Sequence, residues 1–302
     1  MYSFYNNKVC VHVWDIRSEK WVYIPLTKWT RMSEKEQRQY SDKQVFNTDS
    51  SKEESQSEKY YYRLPKSPIY TLYQDMLQQT HLLIAGTTGS GKSVIANGII
   101  ATALHYSPAN YNLILIDPKR VELSEYREAP HTIAYASEPS EMLRTLQATV
   151  QLIDDRFQYM QQQRQKIYEG SKVLVIIDEM ADLLTTQKRQ VKPLLQRITQ
   201  IGRASRVMLI GCTQRPTNDI IGNDITVNMD SRVGLRTRNS QESRNIIGSA
   251  GCESLPRYGE CYYMTPEQFT HYQNVPMISD SERQQLLEHW RTAKKHFSGF
   301  RI

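Results

Sequence analysis

The sequence has few cysteines, and their spacing is unlike that of a zinc or redox site. Cys10, Cys212, Cys252 and Cys261 include no CxxC pair, whereas structural zinc sites and thiol oxidoreductases usually carry one. Reduced, buried thiols of an intracellular protein are the simpler interpretation.

Long apolar runs are also absent. The sequence has no stretch of about eighteen apolar residues, the usual length of a membrane-spanning helix. Its first residues, MYSFYNNKVC, lack the apolar centre of a signal peptide. We therefore expect a soluble, cytoplasmic protein with no membrane insertion of its own.

Positive charge is concentrated in one part of the chain. Residues 188–244 contain eleven Lys and Arg but four Asp and Glu, a net charge of +7, whereas the whole sequence carries +6. A basic region of this kind suits a polyanionic partner such as nucleic acid. A solvated surface would give the same composition, so charge alone leaves both interpretations open.

Composition divides the 302-residue chain into four segments. Residues 1–46 include alternating apolar and polar positions over 8–29, which predict a β-hairpin. Residues 47–68 are hydrophilic and end in two prolines, which predicts a flexible linker. The main domain is expected over 69–275, followed by an amphipathic helix in the tail, 276–302.

The main domain alternates apolar strands with helices. Strands are expected in HLLIAG, NLILID, KVLVIIDE, VMLIGCT and SRVGLRT, with helical spacing in segments between them such as SVIANGIIATALHY and PLLQRITQIGRA. Apolar strands separated by helices predict an α/β fold with a mainly parallel sheet flanked by helices. Ligands of such sheets bind beyond the carboxyl ends of the strands.

The stretch HLLIAGTTGSGKSV, residues 81–94, fits the phosphate-loop pattern G-x-x-x-x-G-K-[ST]. Its glycines let backbone N–H groups approach phosphate oxygens, and the following helix presents its positive end. Lys92 is expected to reach the β- and γ-phosphates, and the Ser93 hydroxyl to hold Mg²⁺. The residues expected to bind nucleotide are Gly86, Thr87, Thr88, Gly89, Ser90, Gly91, Lys92, Ser93 and Val94.

Two adjacent carboxylates end the strand VLVIIDE. Asp178 is expected to bind Mg²⁺, and Glu179 to orient or deprotonate the attacking water. Gln214, after the next strand, can sense the γ-phosphate. With Lys92, these residues predict an ATPase that uses ATP and Mg²⁺, because a small-molecule kinase would not require Glu179.

These motifs together resemble the FtsK/SpoIIIE branch of the FtsK–HerA superfamily of DNA-pumping ATPases. The matching stretches, in order from about residue 80 to 262, are HLLIAGTTGSGKSV, LILIDPKRVEL, VIIDEMADL, GRAS, TQRPTNDIIG and ESRNIIGSAGCESL. The resemblance implies a RecA-like P-loop NTPase core that forms a homo-hexameric ring around double-stranded DNA, with ATP at the subunit interfaces.

The resemblance also implies roles for several arginines. Arg203 in GRAS matches the arginine that such motors insert into the neighbouring subunit's site, where its guanidinium suits the charge on the transferring phosphoryl group. Ser240 stands where the family often has a lysine, and two arginines upstream are expected to compensate. The expected DNA-binding residues are Arg215, Arg236, Arg238 and Arg244, which would contact phosphates rather than read bases.

The sequence also departs from the family pattern. The family usually has membrane spans, a large preceding domain and a winged-helix module, none of which is expected here. The chain resembles the smaller motors of conjugative elements, plasmids or phages, so we expect a membrane-bound or DNA-processing partner protein.

Two alternative functions are an FtsK-like ATPase that moves protein, as in type VII secretion, and a non-hydrolysing nucleotide switch. Lys119 in IDPKRVEL matches a family motif, but the sequence assigns it no chemical role.

Overall fold

The computed structural model describes residues 2–5, 8–15, 20–25, 40–41, 68–217, 221–291 and 300. The chain divides into two compact units, Met1–Gln56 and Ser57–Ile302. The predicted linker over 47–68 lies outside the described residues, except that Pro68 begins the first helix of the second unit.

The described strands of the first unit form an antiparallel sheet. The hairpin predicted within 8–29 is confirmed, because β2 (Lys8–Asp15) pairs with β3 (Lys20–Pro25). Two further strands that the sequence did not predict, β1 (Tyr2–Tyr5) and β4 (Tyr40–Ser41), pair with opposite ends of β2.

The second unit is built on an eight-stranded sheet. Its strands are β5 (Leu82–Ala85), β6 (Tyr111–Ile116), β7 (Thr132–Ala136), β8 (Lys172–Ile177), β9 (Val207–Thr213), β10 (Ser231–Gly234), β11 (Cys261–Met264) and β12 (Phe269–Tyr272). Their order is β12-β11-β10-β5-β9-β8-β6-β7. The six strands from β10 to β7 are parallel, and β11 and β12 join one edge in antiparallel fashion. The predicted α/β fold is confirmed with all five predicted strands; β7, β11 and β12 were not predicted.

Helices cover both faces of this sheet. They are α1 (Pro68–Gln78), α2 (Lys92–Leu104), α3 (Pro139–Gln163), α4 (Met180–Thr186), α5 (Lys188–Ser205), α6 (Asn223–Thr226), α7 (Ser240–Ile247) and α8 (Asp280–Trp290). The central strands β5, β6, β8 and β9 are mainly apolar because both of their faces are buried. In β5, Leu82 and Ile84 belong to the hydrophobic cluster on one face, and Leu83 and Ala85 to the cluster on the other.

A buried arginine ties α3 to α5. Arg156 on α3 is 3% exposed and donates a hydrogen bond of 2.7 Å to the Ser205 carbonyl at the end of α5. Its guanidinium also lies 4.2 Å from the centre of the Tyr168 ring. This arginine therefore satisfies a carbonyl that the helix end leaves without an intrahelical partner.

The amphipathic helix predicted in the tail is present as α8. It begins with a capping box between Ser279 and Glu282, and its Leu286 and Trp290 are buried. The Trp290 indole donates a hydrogen bond of 2.6 Å to the Leu104 carbonyl at the end of α2. This helix therefore packs on the core of the second unit.

Two expectations from composition can be compared with the described residues. Cys212, Cys252 and Cys261 are free and buried, as expected for reduced thiols. In the parts of the chain that the structure describes, no helix combines the length and apolar character needed to cross a bilayer.

Candidate nucleotide-binding and hydrolysis site

The predicted phosphate loop connects the end of β5 to the start of α2. Gly89 and Gly91 have φ angles of 73° and 104°, a conformation that side chains rarely adopt. Gly86 is required for a different reason, because a Cβ there would lie 2.6 Å from Ser90 Oγ and 2.7 Å from Leu235 Cβ. These glycines therefore allow a backbone path that larger residues would block.

Hydrogen bonds that the loop donates at the ends of the two flanking strands hold it in place. The Gly86 N–H donates to the Thr213 carbonyl at the end of β9, at 3.2 Å. The Thr87 N–H donates to the Arg236 carbonyl just after β10, at 2.8 Å. The loop therefore lies at the carboxyl edge of the sheet, where parallel α/β sheets bind ligands.

Lys92 begins α2 directly after the loop, and it is buried. Its ammonium donates hydrogen bonds of 2.9 Å to the Gly86 and Thr87 carbonyls. Burial lowers the pKa of Lys92, whereas nearby Glu179 and Asp178 favour its charged form. The Lys92 cation is thus held against the backbone of the loop by two carbonyls.

The acidic pair follows β8, two strands from the phosphate loop strand. Glu179 is 3% exposed, and its Oε1 accepts hydrogen bonds from the Thr213 hydroxyl and the Gln214 N–H, both at 3.1 Å. Burial, reinforced by the charge of Asp117, raises the pKa of Asp178 to about 6. A site where carboxylates crowd together in this way favours binding of a cation.

Gln214 connects the acidic pair to the phosphate loop. Its Oε1 accepts a hydrogen bond of 2.6 Å from the Thr88 hydroxyl in the loop, while its backbone N–H binds Glu179. The residue predicted to sense the γ-phosphate therefore contacts both halves of the site.

Lys119 is a residue of this site to which sequence reasoning gave no role. Its Nζ lies 3.9 Å from Glu179 Oε2. The contact follows from the sheet order, because Lys119 comes just after β6 and Glu179 just after the adjacent strand β8. Its position in the IDPKRVEL motif was the signal that could have identified it.

The residues present fit a nucleotide with Mg²⁺. The Ser90 hydroxyl is buried and has no hydrogen-bond partner among the described residues, so the loop contains a polar atom that a ligand could satisfy. Ser93, half-buried at the start of α2, and Asp178 offer the hydroxyl and carboxylate oxygens that Mg²⁺ prefers. Val94 follows Ser93 in the first turn of α2.

Arg203 lies apart from the phosphate loop of its own chain. It is exposed and stands near the end of α5, just before β9. The neighbouring Gly202 packs against His81, since a Cβ on Gly202 would lie 2.8 Å from His81 Cε1. His81 comes just before β5, whereas the phosphate loop comes just after β5. Arg203 therefore lies near the amino ends of the strands, at the end of the sheet opposite to the phosphate loop.

The four arginines predicted to bind DNA are exposed around the carboxyl edge of the sheet. Arg215 follows β9 directly, next to Gln214, and Arg236 and Arg238 follow β10. Arg244 on α7 donates a hydrogen bond of 3.1 Å to Ser240. The Arg236 carbonyl also holds the phosphate loop.

Some basic side chains of residues 188–244 bond to other groups of the second unit. Arg232 donates to the Thr226 and Ile246 carbonyls, and Lys192 pairs with Asp224 at 2.9 Å. Of the eleven Lys and Arg in this region, at least these two therefore have partners within the described fold.

A glycine-rich loop holding a buried lysine, with an acidic pair on a nearby parallel strand, defines a P-loop ATPase domain. Solved structures share the fold. The cytoplasmic domain of the type VII secretion ATPase EccC from Thermomonospora curvata has a TM-score of 0.63 and 19% identity, covering 74% of this chain and 29% of that one. The pCW3 conjugation coupling protein TcpA has a TM-score of 0.62 and 21% identity, covering 71% of this chain and 66% of that one.

Residues 32–172 match the family model of the FtsK/SpoIIIE family. DNA translocase FtsK of Staphylococcus epidermidis is 35% identical over 234 residues, which cover 70% of this chain and 29% of that protein. DNA translocase FtsK of Rickettsia typhi is 30% identical over 262 residues, covering 72% and 35%. The chain therefore matches about a third of the length of these relatives.

Proposed function

We propose that this protein is an ATPase that moves double-stranded DNA and works as a homo-hexameric ring. The observation that supports hydrolysis most directly is the set of contacts joining Glu179, Gln214 and Thr88 at the phosphate loop. The match of residues 32–172 to the FtsK/SpoIIIE family model and the similarity to DNA translocases support DNA as the substrate. The proposed setting is conjugative transfer, packaging or segregation of mobile-element DNA.

Glu179 is the proposed general base. Its carboxylate is buried and held by the Thr213 hydroxyl and the Gln214 N–H, so it is oriented before a water molecule binds. Lys92 would stabilise negative charge on the β- and γ-phosphates. Mg²⁺, held by Ser93 and Asp178, would supply Lewis-acid stabilisation of the phosphate oxygens.

Gln214 is the proposed link between hydrolysis and movement. Because its side chain is bonded to Thr88 and its backbone to Glu179, loss of the γ-phosphate would shift its position. Arg215 is the next residue and is exposed. Movement of Gln214 would therefore be passed directly to a cation proposed to contact DNA.

Arg203 is the proposed finger that completes the site of a neighbouring subunit. Its exposure and its position at the far edge of the sheet support this role, because it cannot reach the phosphate loop of its own chain. Hydrolysis would then require assembly into the ring, with ATP bound at each interface.

DNA contact is proposed through Arg215, Arg236, Arg238 and Arg244. Guanidinium groups at these positions would bind backbone phosphates, so binding would be independent of sequence and weaken steeply with salt. We further propose that the protein acts in the cytoplasm and receives its DNA through a membrane-bound or DNA-processing partner.

The test is ATP turnover of the assembled protein during a titration with long duplex DNA. We expect turnover to rise severalfold, and Glu179→Gln to abolish it while leaving ATP binding intact. A rate that stays flat across the titration would contradict DNA as the substrate. Stimulation by a secreted peptide instead would favour the alternative of a protein-moving ATPase, and absence of turnover would favour a nucleotide switch.

A further inference from the structure

Arg257 lies at the phosphate-loop edge of the sheet, although it is far from that loop in sequence. It precedes β11, which runs antiparallel to β10, so that Tyr262 near the start of β11 pairs with Gly234 at the end of β10. Strand β10 is in turn parallel to β5. The segment before β11 therefore returns to the edge where the phosphate loop begins.

The guanidinium of Arg257 lies against Gly89 in the middle of the phosphate loop. A Cβ on Gly89 would be 3.2 Å from Nη2 of Arg257 and 3.6 Å from its Nε. Both nitrogens are hydrogen-bond donors, and both residues are exposed. Two donor nitrogens of one guanidinium thus lie beside the backbone that is proposed to surround phosphate oxygens.

Among the residues that the structure describes, no carboxylate pairs with this guanidinium. In the chain as far as it is described, Arg257 makes no ion pair or hydrogen bond, and its other close contact is the Tyr258 ring, 5.2 Å from Cζ. The acids close to it in sequence have other partners: Glu253 accepts from the Gly251 N–H at 2.9 Å, and Glu260 pairs with His271 at 2.8 Å. A phosphate oxygen would supply the charge-assisted partner that Arg257 lacks.

The segment that carries Arg257 is anchored on both sides. Leu255 is buried, and its N–H donates to the Cys252 carbonyl at 3.3 Å. On the other side, the Gly259 carbonyl accepts a hydrogen bond of 2.7 Å from the Val275 N–H. Because little backbone has to be ordered when a ligand binds, this geometry favours a binding role.

We propose that Arg257 is a nucleotide-binding residue that contacts the phosphates of the nucleotide held by the loop of its own chain. The proposal rests on the proposed ATPase function. It adds a cation acting within the chain to Arg203, which would act on the neighbouring subunit. Loss of Arg257 should therefore weaken nucleotide binding, whereas loss of Arg203 should leave it unchanged.

The test is equilibrium binding of ADP and of a non-hydrolysable ATP analogue to Arg257→Ala, measured by calorimetry on the full chain. Loss of a charge-assisted hydrogen bond should raise both dissociation constants roughly tenfold. Arg257→Lys keeps the charge and should recover part of this loss. Arg291→Ala is the matched control, since Arg291 is an exposed arginine on the surface of the second unit, and it should bind as the wild type does.

Two results would overturn the proposal. One is binding by Arg257→Ala within twofold of the wild type. The other is a loss of affinity matched by an equal loss in the free energy of urea unfolding without nucleotide, which would mean that Arg257 only supports the fold. If the wild type itself bound neither nucleotide, the proposed ATPase function would fail as well, so the two failures are distinguishable.

Discussion

Replacement of Lys119 by methionine tests how the basic and acidic groups of the site act together. The Lys119 ammonium is 3.9 Å from Glu179 Oε2, a separation at which unit charges attract by roughly 4 kcal/mol at an effective dielectric constant of about 20. The Lys119 side chain is 44% exposed, so solvent screening reduces its contribution to on the order of 1 kcal/mol. The attraction to Lys119 helps to orient Glu179 for catalysis, so losing about 1 kcal/mol of it should lower kcat about fivefold.

The assay is steady-state ATP hydrolysis at saturating duplex DNA, together with ATP affinity measured separately. We expect Lys119→Met to lower kcat without weakening ATP binding, because the phosphate loop keeps all its contacts. Lys119→Arg should retain most of the rate, since it keeps the positive charge. An unchanged kcat in the methionine variant, or an equal loss in the arginine variant, would refute the reasoning.

Two other predictions concern stability and assembly. Burial lowers the pKa values of His81 and His131 to about 4, so the unfolded chain, with histidine pKa values near 6.5, takes up protons first as the pH falls. The free energy of urea unfolding should therefore be lower at pH 5 than at pH 7 by on the order of 2 kcal/mol for each histidine; equal values at the two pH values would contradict this. Arg203→Ala should keep ATP affinity and lose on the order of 10³-fold in turnover. Mixing Arg203→Ala with Lys92→Ala subunits should restore part of the rate through interfaces that contain both intact residues, whereas full turnover by Arg203→Ala alone would mean that the site is complete within one chain.

The parts of the fold predicted from sequence are those coded by local pattern. Strands β5, β6, β8 and β9 are continuous apolar runs, and the phosphate loop follows β5 with glycines at fixed spacing. Asp178 and Glu179 could be assigned to the same edge as the loop, because parallel strands bring their carboxyl ends together.

The parts that were missed depend on contacts distant in sequence. Strand β12 is only partly buried, so its sequence lacks the apolar run that identified the central strands. The position of Arg257 beside Gly89 depends on the antiparallel pairing of β11 with β10. No local pattern in the sequence predicted that pairing. Lys119 was singled out by its motif, but its contact with Glu179 follows from the pairing of β6 with β8.

The central claim is that ATP hydrolysis at Glu179 drives movement along duplex DNA. Its most direct test is displacement of a third strand, annealed at one site of a long linear duplex, by the assembled protein with ATP. We predict displacement by the wild type, with a delay that grows with the distance between loading site and third strand, and none by Glu179→Gln. Displacement by Glu179→Gln at the wild-type rate, or none by a wild type that hydrolyses ATP on the same DNA, would contradict the claim.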